Sequence, residues 1–123
     1  MPQDSSLIIT SQEGVTVVGF SEPTLLNAYK ITEVAQQLYK LVEQEGHRLV
    51  VLDLSTIRML SSQSLGVFLN LRHKLGQVKG KMALSGIDPS LSRVFKITKL
   101  EEVFEFHKNT ASAVLSLKSP AKK

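Results

Sequence analysis

Residues 49–54 in the middle of the chain constrain the fold more than any other segment. Every residue in this run except Asp53 is apolar. An almost unbroken apolar run of this length is typical of a β-strand covered on both faces of a sheet. Three serines follow at Ser61, Ser62 and Ser64, and apolar residues then recur at helical spacing as far as Val78. This junction of strand, loop and serine-rich helix start is the candidate functional site.

On both sides of this junction, the hydrophobic pattern predicts further strands and helices. Residues 7–10 and 15–20 are predicted strands, and the short polar segment between them ends in a glycine, as a hairpin connection should. A helix with one apolar face is predicted from about Asn27 to Glu45. The other predicted elements are a strand over 81–86, a helix from Pro89 to about Phe95 capped by Asp88, a strand within 100–106 and a helix over 110–117 capped by Thr110.

This order of elements predicts the fold class. Strands that alternate with helices after an opening hairpin are typical of an α/β domain. We therefore predict a single mixed, largely parallel β-sheet with an N-terminal hairpin and helices packed on it. A chain of 123 residues is long enough for one such domain. We place this domain at residues 1–117 and expect residues 118–123 to form a basic, disordered tail.

The net charge of +4 raises the question of nucleic-acid binding. Lys118, Lys122 and Lys123 lie in the predicted tail, and the remaining basic residues nearly balance the 11 acidic ones. Those basic residues are scattered, and no aromatic residues are interleaved with them to stack on bases. We therefore expect no nucleic-acid partner.

The composition also bears on the compartment. No apolar run approaches the roughly 20 residues that span a membrane, and residues 1–6 lack the basic and apolar regions of a signal peptide. The chain contains no cysteine, so it has neither disulfides nor thiolate chemistry. We expect a cytoplasmic protein that does not insert into membranes.

Catalytic and metal-binding patterns are not found in the sequence. The glycines form no phosphate-binding loop. The three histidines, His47, His73 and His107, are far apart and lack the spacing of a metal pair, so each is expected to be a solvated surface residue. No serine has a histidine–acid pair recognisably placed to activate it. We expect no catalytic residue, no metal and no cofactor.

The serine-rich junction resembles a known family. Residues 53–54 followed by residues 59–69 resemble the signature of STAS domains, which include the bacterial anti-sigma-factor antagonists. Residues 82–89, 94–100 and 103–104 are similar to the C-terminal half of the family, and the resemblance covers residues 7–117.

The resemblance implies a regulatory binding module. Members dock on an anti-sigma-factor kinase and free the sigma factor that it holds. Phosphorylation of a serine or threonine at this helix start ends the docking, and a PP2C-type phosphatase restores it. In this chain the resemblance implies a partner-binding surface that contains Arg58, Ser61, Ser62, Gln63 and Ser64.

The sequence departs from the family pattern within this surface. When Leu65 and Gly66 are aligned, Ser61 replaces the usual Asp, Gln63 the usual phosphoacceptor and Ser64 a usual Gly. Because glutamine cannot accept a phosphoryl group, three readings stay open. Ser62 accepts the phosphate, Ser64 accepts it, or the module is never phosphorylated and acts as a constitutive binder or scaffold. Capping of the helix by Ser61 or Ser62 would by itself explain the serines.

Two other functions fit the same residues. The domain could be a subunit of a larger signalling or membrane transport complex. Alternatively, the N–H groups of the helix start could bind a small anionic ligand.

Overall fold

The structure is a computed structural model that describes residues 7–118. Residues 1–6 and 119–123, which include most of the predicted tail, lie outside the described residues. The chain forms strands β1 (Leu7–Gln12), β2 (Val15–Phe20), β3 (Thr24–Leu25), β4 (Leu49–Asp53), β5 (Met59–Leu60), β6 (Lys81–Ser85) and β7 (Glu105–His107), and helices α1 (Ala28–Glu43), α2 (Ser62–Gln77), α3 (Pro89–Ile97) and α4 (Thr110–Lys118).

The predicted mixed sheet is confirmed. Its five strands lie in the order β1-β2-β4-β6-β7. The first pair, β1 with β2, is antiparallel, and every later pair is parallel. The apolar run that dominates the sequence becomes β4 at the centre of the sheet. Because successive side chains of a strand point to opposite faces, Val50 and Leu52 lie in one core and Val51 in the other.

Helices cover both faces of this sheet. The connecting helices α1, α2 and α3 share one core with the sheet, to which Ile31, Phe68 and Phe95 contribute fully buried side chains. Successive parallel connections of the same hand place their helices on the same face. The second face is covered by α4, through Ala113, Val114 and Leu117.

Two short strands that the sequence did not predict hold the loop before α2. Strands β3 and β5 form a separate parallel pair, in which Thr24 lies beside Met59 and Leu25 beside Leu60. The N–H of Arg58 donates to the carbonyl of Pro23 at 2.6 Å. The start of α2 is therefore fixed to the segment that leads into α1.

The strand predicted within residues 100–106 lies at the end of that range and extends one residue beyond it, to His107. Only β7 forms a strand, and residues 101–104 form turns and a bend. Phe104 is buried by edge-to-face packing against Phe95, with 5.9 Å between the ring centroids. The apolar spacing therefore reflects packing beneath α3 rather than a strand.

The predicted cap of the last helix was also wrong. α4 begins at Thr110 itself, and the side-chain oxygen of Asn109 accepts the N–H of Ser112 at 2.9 Å. The Thr110 hydroxyl instead lies 3.1 Å from the hydroxyl of Ser85, at the end of β6. The helix continues to Lys118, one residue into the predicted tail, and the domain boundary stays a prediction.

Candidate functional site

Two of the three serines, Ser61 and Ser64, cap the start of α2. Ser61 is the N-cap, and its extended backbone places its Oγ 3.2 Å from the N–H of Ser64. The Oγ of Ser64 accepts the N–H of Ser61 at 2.9 Å and donates to the carbonyl of Ser61 at 2.7 Å. This reciprocal arrangement is a capping box built from two serines. Both hydroxyls are therefore engaged in forming the helix end.

The capping box decides which predicted site residues reach the surface. Ser62 and Gln63 are exposed, and Ser61 is partly buried. Ser64 is 0% exposed, because the third helical position points towards the core together with Leu65 and Phe68. The expectation that Ser64 lies on the surface was therefore wrong. The spacing of Ser61 and Ser64 was the signal in the sequence, since it is the spacing of a capping box.

Unpaired N–H groups surround the exposed Ser62. The first N–H groups of a helix have no intrahelical partner. Here the N–H of Leu65 donates to the carbonyl of Ser61, and that of Ser64 is capped. Among the described residues, the N–H groups of Ser62 and Gln63 have no acceptor, and no acidic side chain lies in the first turn. The positive end of the α2 dipole is therefore open to a negative group.

Arg58 lies three residues before the N-cap of α2, and its side chain makes contacts within the loop that leads to this helix. One guanidinium nitrogen, Nη1, donates to the carbonyls of Ser55 at 2.8 Å and Ile57 at 3.2 Å. Its Nε lies 3.8 Å from Oδ1 of Asp88, the N-cap of α3. Hydrogen bonds from the Ser90 hydroxyl and N–H, with a smaller contribution from Arg58, lower the pKa of Asp88. Arg58 thus connects the loop before α2 to the start of α3.

Two exposed apolar side chains lie in or directly beside the β3–β5 pair, close to the start of α2. Met59 is 54% exposed and Leu26 is 44% exposed, whereas Leu25 is buried. Met59 comes two residues before the N-cap Ser61, and Leu26 directly follows β3, the short strand that pairs with β5. Exposed apolar residues next to polar ones are a common feature of protein interfaces.

The prediction that all three histidines are solvated surface residues is confirmed only for His73, which is exposed, whereas His47 and His107 are partly buried. His47 Nδ1 lies 2.6 Å from Oγ1 of Thr16, and its Nε2 lies 3.4 Å from Oε1 of Glu45. Sequence reasoning missed this group, since its members are up to 31 residues apart. Because Thr16 is only 4% exposed, the contact ties the loop before β4 to β2 rather than presenting a nucleophile. His107 likewise lies 2.5 Å from Glu105.

Neither a metal site nor a membrane span is found in the part of the chain that the structure describes. No three histidine, cysteine or acidic side chains among residues 7–118 are grouped so as to hold a metal ion. No helix within the same residues is both long and apolar enough to cross a bilayer.

Comparison with known families decides the assignment. The family model for the STAS domain matches residues 6–113, which is most of the chain. The chain belongs to the STAS domain family. The match contains the central strand, the capping box and the exposed Ser62, so the candidate site lies within the matched residues.

Relatives of this STAS domain include anti-sigma-factor antagonists. BtrV of Bordetella bronchiseptica, a candidate anti-sigma factor antagonist by name, is 28% identical over 95 residues, which cover 77% of this chain and 81% of BtrV. An anti-sigma-factor antagonist domain of Planctomyces limnophilus superimposes with a TM-score of 0.82 at 19% identity, covering 94% and 99% of the two chains. The phosphorylated form of the Bacillus cell fate determinant SpoIIAA gives a TM-score of 0.67 at 14% identity, covering 89% and 97%. This STAS domain resembles anti-sigma-factor antagonists in sequence and fold.

Proposed function

We propose that this STAS domain is a non-catalytic module that docks on an anti-sigma factor with serine-kinase activity. Its docking surface is the helix-start rim, which consists of Arg58, Ser61, Ser62 and Gln63. We further propose that phosphorylation of Ser62 ends the docking and that a PP2C-type phosphatase restores it. This switch operates in the cytoplasm, where ATP is available to the kinase.

The main support for this proposal is that the three serine hydroxyls at the helix start have different environments. Ser61 and Ser64 cap the helix with their hydroxyls, and Ser64 has no exposed surface. Ser62 is exposed, and its hydroxyl has no role in the capping box. Ser62 is therefore the serine at this helix start that a kinase can reach without opening the helix end.

A phosphate on Ser62 would act on binding rather than on folding. It adds a charge of about −1.5 to −2. The free N–H groups and the helix dipole favour a negative charge at this position, so the folded domain tolerates it. A partner seated on the rim would have to strip water from that charge. Phosphorylation should therefore weaken docking while leaving the fold unchanged.

Gln63 favours a second candidate function. Because this residue stands at the usual phosphoacceptor position and cannot be phosphorylated, the rim also suits a constitutive binder or scaffold. That scaffold could serve in a signalling or a transport complex. The two candidates share a docking surface and differ only in whether Ser62 is modified.

Phosphate mapping separates these candidates. The protein is incubated with ATP and an anti-sigma-factor kinase that binds it, and phosphorylated residues are located by mass spectrometry. The switch predicts one phosphate on Ser62, which is lost in Ser62→Ala and kept in Ser112→Ala. Ser112 is a suitable control because it is exposed in the first turn of α4, on the other face of the sheet. Binding without any phosphate would leave the constitutive scaffold, and phosphate on Ser64 would contradict the assignment of the acceptor.

A further inference from the structure

We propose that the free edge of β1 is a self-association surface, on which a second copy of this chain adds its own β1 in antiparallel orientation. The two sheets would then form one continuous sheet across a two-fold axis. This inference concerns the strand edge opposite β7 and does not depend on the proposed function of the helix-start rim.

The edge of β1 lacks the features that protect exposed strands. Natural edge strands are kept from pairing by charged side chains, prolines, bulges or very short length. β1 has six residues, none of them charged and none of them proline. Its register with β2 is continuous from Leu7 opposite Phe20 to Gln12 opposite Val15, without a bulge. Residues 8–12 are all exposed.

The opposite edge of the same sheet is protected. β7 has only three residues, two of which are Glu105 and His107. Glu105 accepts a hydrogen bond from the Ser116 hydroxyl of α4 and pairs with His107. The two edges of the five-stranded sheet are thus built differently, and within residues 7–118 the edge of β1 at residues 8–12 is the one without such protection.

Apolar side chains at the β1 edge would be covered by such a partner. Ile8 is 55% exposed and Ile9 is 44% exposed. As neighbours in a strand they point to opposite faces of the sheet, so each face has one isoleucine at this edge. Ile8 lies opposite Gly19, which has no side chain to cover it. A strand added at this edge would shield apolar surface on both faces.

The chemistry of the edge favours a second copy as the occupant. Two uncharged strands can pair without repulsion between like charges. A two-fold axis makes the interface self-complementary and closes it at a dimer. The adjoining Glu13 is already paired with Lys118. The segments outside the described residues are poor covering strands by composition, because one contains Pro2 and the other contains Pro120 and two lysines.

The pairing geometry places Thr10 at the centre of the interface. Opposed residues must point to the same face, so a two-fold axis through the middle of residues 8–12 sets Thr10 opposite its own copy. Ile8 then lies opposite Gln12 and Ile9 opposite Ser11. Directly opposed residues in antiparallel strands have Cβ atoms about 4.5–5.5 Å apart.

Sedimentation equilibrium of the full chain tests this inference with a matched pair of substitutions. The wild type should form a dimer whose population grows with concentration. Ile9→Lys should raise the dimer dissociation constant by about tenfold or more, since charge at an edge opposes strand addition. Ile97→Lys makes the same change at an isoleucine that is 72% exposed on α3, and it should leave the constant unchanged. A monomeric wild type, or equal effects of the two substitutions, would overturn the inference.

A cross-linking experiment does not depend on how Ile9→Lys folds. Because the chain has no cysteine, Thr10→Cys introduces a single thiol that should oxidise to a disulfide-linked dimer. Glu33→Cys, on the exposed face of α1, should cross-link much more slowly. Equal rates at the two positions would contradict the proposed register. A dimer that forms only after residues 1–6 are deleted would show that this segment covers the edge, and would also overturn the inference.

Discussion

The side-chain oxygens of Ser61 and Ser64 each accept the backbone N–H of the other residue, at 3.2 and 2.9 Å respectively, and together cap the start of α2. This pairing turns a cluster of three similar serines into one exposed hydroxyl and two structural ones. It also leaves the Ser62 hydroxyl exposed while the cap of the helix stays intact.

Replacement of Ser64 tests the structural role of this pair. Ser64→Ala leaves the N–H of Ser61 without its acceptor in a partly buried position, and should lower the free energy of unfolding by about 1–2 kcal/mol. Ser62→Ala removes an exposed hydroxyl outside the capping box and should change the free energy of unfolding by less than about 0.5 kcal/mol. Urea denaturation followed by circular dichroism measures both. Similar values for the two variants would argue against the division of roles.

Two glycines should respond in opposite directions to alanine. Gly86 has φ +69°, and a Cβ there would lie 2.9 Å from Cβ of Ser55, in the loop that leads to the rim. Gly86→Ala should therefore destabilise the protein by about 2 kcal/mol or more. Gly66 lies within α2 and has no atom within 4 Å of the added Cβ, so Gly66→Ala should stabilise by about 0.5–1 kcal/mol. Thermal unfolding of both variants checks this, and a stable Gly86→Ala would show that the contact with Ser55 is loose.

Glu105 should contribute to the pH dependence of stability. Burial raises the pKa of Glu105, but hydrogen bonds from Ser116 and His107 outweigh this effect and lower it below its usual value of 4.5. Because the folded pKa lies below the unfolded one, the contribution is present above about pH 4.5 and is lost as the pH falls through the folded pKa.

Comparison with Glu105→Gln isolates this contribution. The variant should be less stable than the wild type near neutral pH, and the difference should shrink in acid. Urea midpoints measured at several pH values provide the test. A difference that stays constant from neutral pH to acid would contradict the assigned pKa shift.

Much of the fold was predictable because its strongest signals are local. The apolar run at β4, the one-sided helix α1 and the Asp88–Pro89 helix start each depend on a few neighbouring residues. The errors arose where distant residues decide the structure. Phe104, which lies in a bend, is packed against the ring of Phe95 in α3, and β5 exists only because it pairs with β3, more than 30 residues earlier.

The candidate site was only partly predictable for the same reason. The sequence located the helix start and its serines, and the spacing of Ser61 and Ser64 already contained the cap. Which serine stays exposed depends on the direction of each side chain relative to the core, which only the packed helix shows. The contact between Thr16 and His47 joins strand β2 to the loop before β4 and has no local signal.

The affinity of this domain for its anti-sigma factor partner tests the central claim most directly. Ser62→Asp places a negative charge at the helix-start rim, whereas Ser112→Asp places one at the start of α4 on the other face of the sheet. In calorimetric titrations with a purified anti-sigma-factor kinase that binds the wild type, we expect Ser62→Asp to weaken binding by more than about 1 kcal/mol and Ser112→Asp to match the wild type. Equal affinities for the wild type and Ser62→Asp would contradict the claim that the partner docks on this rim.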